Sequence, residues 1–192
     1  MPDWRSVAGE LLLAAVVLHS GPGLAEDALD RLLQSLASQG TVVVRFEEER
    51  HIGLLERPLR SWGTLSFTPP DRLIKQTLAP TPSLFRADRE TLTIVDDTGE
   101  QQIPLASHPL LAAYIAPFRA VLSGERAGLE RHFSADLESG PAGWTLFLEP
   151  RAAEVARRID EVIVAGEADR IRTIEIREQG GDRAILRLDE PG

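Results

Sequence analysis

A curved, antiparallel, mainly β fold of the α+β class, with helices laid over one face, is what this sequence predicts. Three observations carry that expectation. About nine to eleven short segments with twofold apolar alternation follow one another, separated by turn-forming residues. One amphipathic helix precedes them and one helical stretch interrupts them midway. No crossover helix follows each strand, as a parallel α/β order would need, so neighbouring strands pair antiparallel. A sheet this long curls. The two helical segments then cover its concave face, giving a half-closed barrel with a helical lid.

The elements follow in order. Glu26 to Ser38 reads as a helix, because Leu29, Leu32, Leu33 and Leu36 recur on one face and Gly40 stops it. Glu26 and Asp27 suit its positive end. The period then becomes twofold: Val42, Val44 and Phe46 share one strand face, and Val43, Arg45 and Glu47 the other. Leu59, Ser61, Gly63, Leu65 and Phe67 share a face of the next strand. Pro69-Pro70-Asp71 turns the chain, and Leu73 to Leu78 returns it. Ser83 to Ala87, Thr91 to Asp96 and Gln101 to Pro104 are expected to be further strands. Pro109 opens a helix with an apolar stripe at Leu110, Leu111, Tyr114, Ile115 and Phe118. Pro117 should kink or split it before Gly124 ends it. Leu129 lies in a short following segment. The chain then returns to strands at Trp144 to Glu149, Ile159 to Val164, Ile171 to Glu178 and Asp182 to Leu188, with Arg151 to Arg158 a loop or one helical turn.

The N-terminus reads as a secretory leader, with a buried N-terminal helix as the alternative that Glu10 keeps open. Arg5 is its positive end, Leu11 to Leu18 its apolar run, and Gly23-Leu24-Ala25 a cleavage site, so residues 26–192 are expected to be one mature domain. The whole chain carries a net charge of −9, and Asp3, Arg5 and Glu10 remove one net negative charge with the leader. That balance opposes non-specific nucleic-acid or anionic-membrane binding and favours a soluble protein, which is expected to be a monomer. With no cysteine there is no disulfide, thiolate metal site, cysteine nucleophile or lipidated cysteine.

Catalytic chemistry finds little support. Asp97-Thr98-Gly99 matches an aspartic-protease triplet, but that chemistry needs two carboxylates sharing a proton and there is one copy, at a turn. His51, His108 and His132 have no metal-ligand spacing, and no G-x-S-x-G elbow occurs. No cofactor is expected. Glu47-Glu48-Glu49 is either an acidic docking patch or a charge-protected sheet edge, the latter preferred. The run Arg151 to Arg158 is read as a solvated turn rather than a basic contact site. Function therefore rests on apolar residues facing the concave side: Phe46, Leu65, Phe67, Leu73, Ile94, Tyr114, Ile115, Phe118, Trp144 and Leu146. The same residues would also make an ordinary core. Ser61 and Gly63, small residues on an apolar strand face, leave room for a helix or a ligand chain.

The stretch from Leu29 to Leu78 resembles the LolA-like periplasmic lipoprotein carriers. The residues concerned are Val44-Arg45-Phe46, Gly63-Thr64-Leu65-Ser66-Phe67, Pro69-Pro70-Asp71 and Lys75-Gln76-Thr77. Asp88, Thr91-Leu92-Thr93 and Trp144-Thr145-Leu146 continue the likeness more loosely. The resemblance implies a carrier that binds an acyl chain or lipidated cargo under a helical lid, catalyses nothing, and deals with an inner-membrane exporter and an outer-membrane acceptor. An interaction or sensor module with a filled core on the same fold is the alternative. One departure stands out. The family carriers place a gate arginine directly before the turn proline, where this chain has Pro69, with Arg72 nearby. The resemblance thus implies a divergent carrier with its own gate and cargo.

Overall fold

A computed structural model describes residues 22–189, with side chains from residue 28 onward. The leader's basic residue and apolar run lie outside the described residues. The first helix, α1 (Pro22–Ala37), starts ahead of the expected Glu26, with a proline in the first turn where its missing N–H costs least. It buries Leu29, Leu32, Leu33 and Leu36, the stripe that its spacing predicts.

Six strands follow as successive antiparallel hairpins: β1 (Val42–His51), β2 (Leu59–Thr68), β3 (Arg72–Ala79), β4 (Ser83–Asp88), β5 (Thr91–Asp96) and β6 (Gly99–Pro104). Then come the helices α2 (Pro109–Ser123) and α3 (Arg126–His132). The remaining strands are β7 (Phe133–Gly140), β8 (Gly143–Pro150), β9 (Ile159–Glu167), β10 (Arg170–Glu178) and β11 (Arg183–Asp189), with one helical turn, α4 (Ala153–Ala156), between β8 and β9.

All eleven strands form one open antiparallel sheet in the order β6-β5-β4-β3-β2-β1-β11-β10-β9-β8-β7. Every neighbouring pair is consecutive in the chain except β1 and β11 at the centre. The chain therefore builds outward to one edge at β6 and restarts at the opposite edge at β7. The link between those edges has to cross the sheet, and α2 and α3 are that link.

Three expectations change. The acidic run Glu47-Glu48-Glu49 is no sheet edge, because β1 is the central strand with five strands on each side. Its charges are instead matched across strands: Glu49 pairs with Arg60 at 2.8 Å and lies 3.7 Å from Arg187. Pro117 does not split its helix. α2 continues through it, and Ala113, Pro117, Ala120 and Val121 are all buried on one side, so packing outweighs the lost backbone bond. β7 was not predicted; as an edge strand it buries only Phe133, which leaves little alternation to read.

The small residue Gly63 also has a different cause from the one expected. A Cβ there would sit 1.9 Å from the Gln76 carbonyl oxygen. The β2–β3 register shifts between Trp62 and Gly63, which marks a bulge, and the β3 backbone occupies the space a side chain would need. Gly63 makes room for a strand, not for a ligand.

Packing differs between the two halves of the sheet. Helices α1, α2 and α3 pack on one another, α1 and α3 reach β7, and α4 joins α2 to β8 and β9. Leu129 of α3 and, beneath the helices, Leu146, Leu148 and Ile159 are wholly buried. Over β1 to β5 the cover is α2, which reaches β3. At the end of α2, Gly124 takes a left-handed conformation (φ 73°) and packs so closely on α1 that a Cβ would meet the Ala37 Cβ at 2.8 Å.

Gly63→Ala is expected to destabilise the fold by about 3 kcal/mol or more, since backbone must move to admit one methyl group. Urea denaturation checks this. A loss below about 1 kcal/mol would show that the β2–β3 bulge has slack.

Candidate functional site: a cavity beneath helix α2

The sheet register explains why a space opens over one half and not the other. Inward-facing residues form rows across the strands. One row joins Val42, Phe67, Leu73, Ala87, Leu92 and Ile103 and is apolar throughout. Two residues further along each strand, the row Leu65–Lys75–Phe85–Ile94 already contains a charge. Further still come Thr77 and Ser83, then Ser61 and Glu48, then Leu59 and Arg50. Over β8 to β11 the corresponding rows stay apolar, as in Leu186–Ile174–Val164–Leu146–Leu137. Open space lies over β1 to β5, where the rows turn polar, and the apolar rows beside it supply its floor.

That space is a cavity of about 1040 Å³. Leu111, Tyr114, Ile115 and Phe118 of α2 form its roof. Leu65, Leu73, Ala87, Leu92, Ile176 and Leu186 form its apolar floor. Pro58, Leu59, Pro80, Thr81 and Phe85 lie at its mouth, where Leu59 and Phe85 are 53% and 39% exposed. A second cavity of about 400 Å³ lies between the end of α1 and strands β1, β2, β10 and β11. Leu65 and Phe118 line both, so these two side chains are the partition. The larger volume is at the top of the range typical of small-molecule sites.

The ten apolar residues singled out from the sequence divide accordingly. Leu65, Leu73, Tyr114, Ile115 and Phe118 line the large cavity, and Phe67 lines the smaller one. Phe46, Ile94, Trp144 and Leu146 line neither; they belong to packed core. Phe46 is buried beneath Lys75, whose ammonium stands 4.9 Å from the ring centre. Trp144 donates its indole N–H to the Ala168 carbonyl at 2.9 Å and so holds the β9–β10 turn. A filled core, expected of an interaction module, describes one half of the sheet; a cavity describes the other.

Polar wall residues were not visible from the sequence. Lys75 pairs with Glu48 at 2.5 Å, and Glu48 also accepts a hydrogen bond from the Ser61 hydroxyl at 3.1 Å. Their signal was parity: Glu48 alternates in phase with Phe46, and Lys75 with Leu73. A half-buried ion pair in an otherwise apolar wall is weak evidence of stability, because desolvation offsets its attraction.

Helix α2 is tied to the sheet on both flanks. The Tyr114 hydroxyl donates to the Glu178 carboxylate of β10 at 2.9 Å. Arg119 donates from Nη1 to the Arg89 carbonyl in the β4–β5 turn at 2.6 Å. Its Nε and Nη2 are buried without a hydrogen-bond partner among the described residues. Burial lowers the pKa of this guanidinium, while Asp71 and Asp88 act to raise it. The Tyr114 phenol is pushed up to about 12, first by burial and then by the hydrogen bond and negative charge of Glu178, with Arg50 and Arg158 opposing.

The other motifs resolve as structure. Thr98 of the Asp-Thr-Gly triplet bonds Asp96 through both its backbone N–H and its hydroxyl, closing the β5–β6 hairpin. His51 stands 3.8 Å from Glu49, His108 precedes α2, and His132 ends α3. Among the described residues no group of histidine or acidic side chains has the arrangement of a metal site.

A family model described as "outer membrane lipoprotein carrier protein LolA-like" matches residues 21–188. The chain belongs to the LolA-like family. The LolA superfamily protein NE2245 from Nitrosomonas europaea is similar in structure, with a TM-score of 0.50 at 12% identity, over 86% of this chain and 91% of that one. A DUF1329 family protein from Desulfovibrio piger gives 0.46 at 8% identity, over 86% and 91%. LprF from Mycobacterium bovis gives 0.36 at 11% identity, over 85% and 92%. No curated relative matches the chain. At 12% identity the likeness to NE2245 concerns the fold alone.

Tyr114 is the only tyrosine of the chain, so phenolate absorbance near 295 nm reports it directly. Its midpoint is expected near pH 12 in the folded protein and about 10 in denaturant. A phenol with a raised folded pKa contributes stability that is complete below pH 10 and lost as the pH rises towards 12. Glu178→Gln should move the folded midpoint down. A wild-type midpoint at 10 would mean that α2 does not bury this side chain.

Proposed function

We propose that this chain is a periplasmic, non-catalytic LolA-like carrier that holds an acyl chain, free or on a lipidated cargo, beneath α2. Residues 1–25 would be its leader and residues 26–192 its single carrier domain. The observation that carries this reading is the cavity itself: about 1040 Å³ of space between an apolar roof and an apolar floor. Membership of the LolA-like family supports it.

Affinity would come from removing the chain's methylenes from water, worth about 25 cal/mol per Å². Loading and release require α2 to swing, and the two ties to Glu178 and Arg89 are few enough to break and re-form. A membrane exporter as donor and a membrane acceptor complete the cycle, each shifting the equilibrium only by its own differential affinity for the loaded and empty carrier.

Native mass spectrometry and displacement of a fluorescent fatty acid test the reading. Protein that neither carries a lipid adduct nor binds the probe would defeat it. Two variants separate cavity from core. Phe118→Ala is expected to weaken acyl binding while the protein stays folded, since that ring borders empty space on two sides. Leu146→Ala is expected to cost about 3 kcal/mol of stability and leave binding by the folded fraction unchanged. Equal stability losses with unchanged binding in both would assign Phe118 to core.

A further inference from the structure

The cavity wall has a direction, and the direction bears on what the cavity takes; this inference rests on the acyl-binding reading above. Along β3 and β4 the inner face runs from Leu73 and Ala87, both buried, to Lys75 and Phe85, which reach solvent. Along β1 and β2 it runs from Phe46 and Leu65 to Arg50 and Leu59. One end is closed and apolar and the other is open and charged. A uniformly apolar ligand would leave the charged end unmatched. An amphiphile inserted tail-first would match both ends.

The partners of the lining charges decide the sign of its head. Glu48 is held by Lys75 and Ser61, and Arg60 by Glu49. Glu178 accepts the Tyr114 hydroxyl. Arg50 is the lining charge whose side chain has no hydrogen bond or ion pair among the described residues. It stands exposed at the mouth, close enough to Tyr114 to favour a negative charge there. A guanidinium presents a planar fork of donors that fits carboxylate and phosphate oxygens. Leu59, its cross-strand partner, and Pro58 beside it are apolar and would shield such a contact from water.

We propose that the cavity selects single-chain amphiphiles with an anion directly beside the acyl chain, carboxylate or phosphate, held at the mouth by Arg50. The methyl end would lie towards Leu73, Leu92 and Phe118.

Three probes with the same tail test this on the purified protein by calorimetry: myristate, myristoyl lysophosphatidate and the neutral monomyristoylglycerol. The wild type is expected to bind at least one anionic probe about tenfold more tightly than the neutral one, the value of one charge-assisted hydrogen bond. Whether myristate or the lysophosphatidate binds tighter identifies the head as carboxylate or phosphate. Arg50→Gln should remove that preference and leave the neutral probe unchanged, and Arg50→Lys should keep part of it. Equal binding of all three probes by the wild type would overturn the anion inference while leaving the acyl-binding reading intact. So would an equal loss for charged and neutral probes in Arg50→Gln. Failure of all three to bind the wild type would remove the acyl-binding reading and this inference with it.

Discussion

The chain leaves its sheet at one edge and has to resume it at the other. β6 and β7 are consecutive strands at opposite ends of an eleven-stranded sheet, and the segment between them must cross the whole face. An exposed crossing would leave both the sheet's apolar face and the helix stripe in water, so the crossing lies on the face as α2 and α3. The roof over the cavity, the partition at Phe118 and the two flank ties all follow from that path. A lid made from an obligatory crossover is held at both ends by the chain itself, and it can move only as far as its connections and side-chain ties allow.

The second determinant is uneven cover. Over strands β7 to β9, helices meet a face whose inward rows are mostly apolar, and the result is a packed core. Over the N-terminal strands, α2 meets a face that turns polar partway along each strand. Close packing there would bury Lys75, Glu48 and Arg50 against apolar side chains, which is costly without compensating bonds. Space remains where burial would be penalised and closes where it is rewarded. The same residues that keep the cavity open give its mouth a chemical character.

Much of the fold was legible because it depends on local periodicity. The leucine stripe of α1 and the alternation in β1, β2 and β8 each report which side of an element meets apolar surroundings. Boundaries and roles that depend on neighbours were less legible. β7 carries little alternation because it is an edge. Pro117 looks like a break until Ala113, Ala120 and Val121 are seen buried beside it. Gly63 looks like room for a ligand until the Gln76 carbonyl is found where its Cβ would be. Within the site, five of the ten apolar residues line the large cavity, and the rest serve the smaller cavity or the core, because facing inward does not say how far the opposite layer stands.

The sequence by itself determined the class of the fold, the antiparallel order of its hairpins and the faces that turn inward, because each is set by residue spacing within a single element. Only the tertiary structure decided that β1 is central rather than an edge, that Glu48 and Lys75 meet across strands, and that Leu65 and Phe118 stand between two cavities. Those facts concern distances between elements far apart in the chain. They come from how the sheet curls and where its crossover falls, which no local period records.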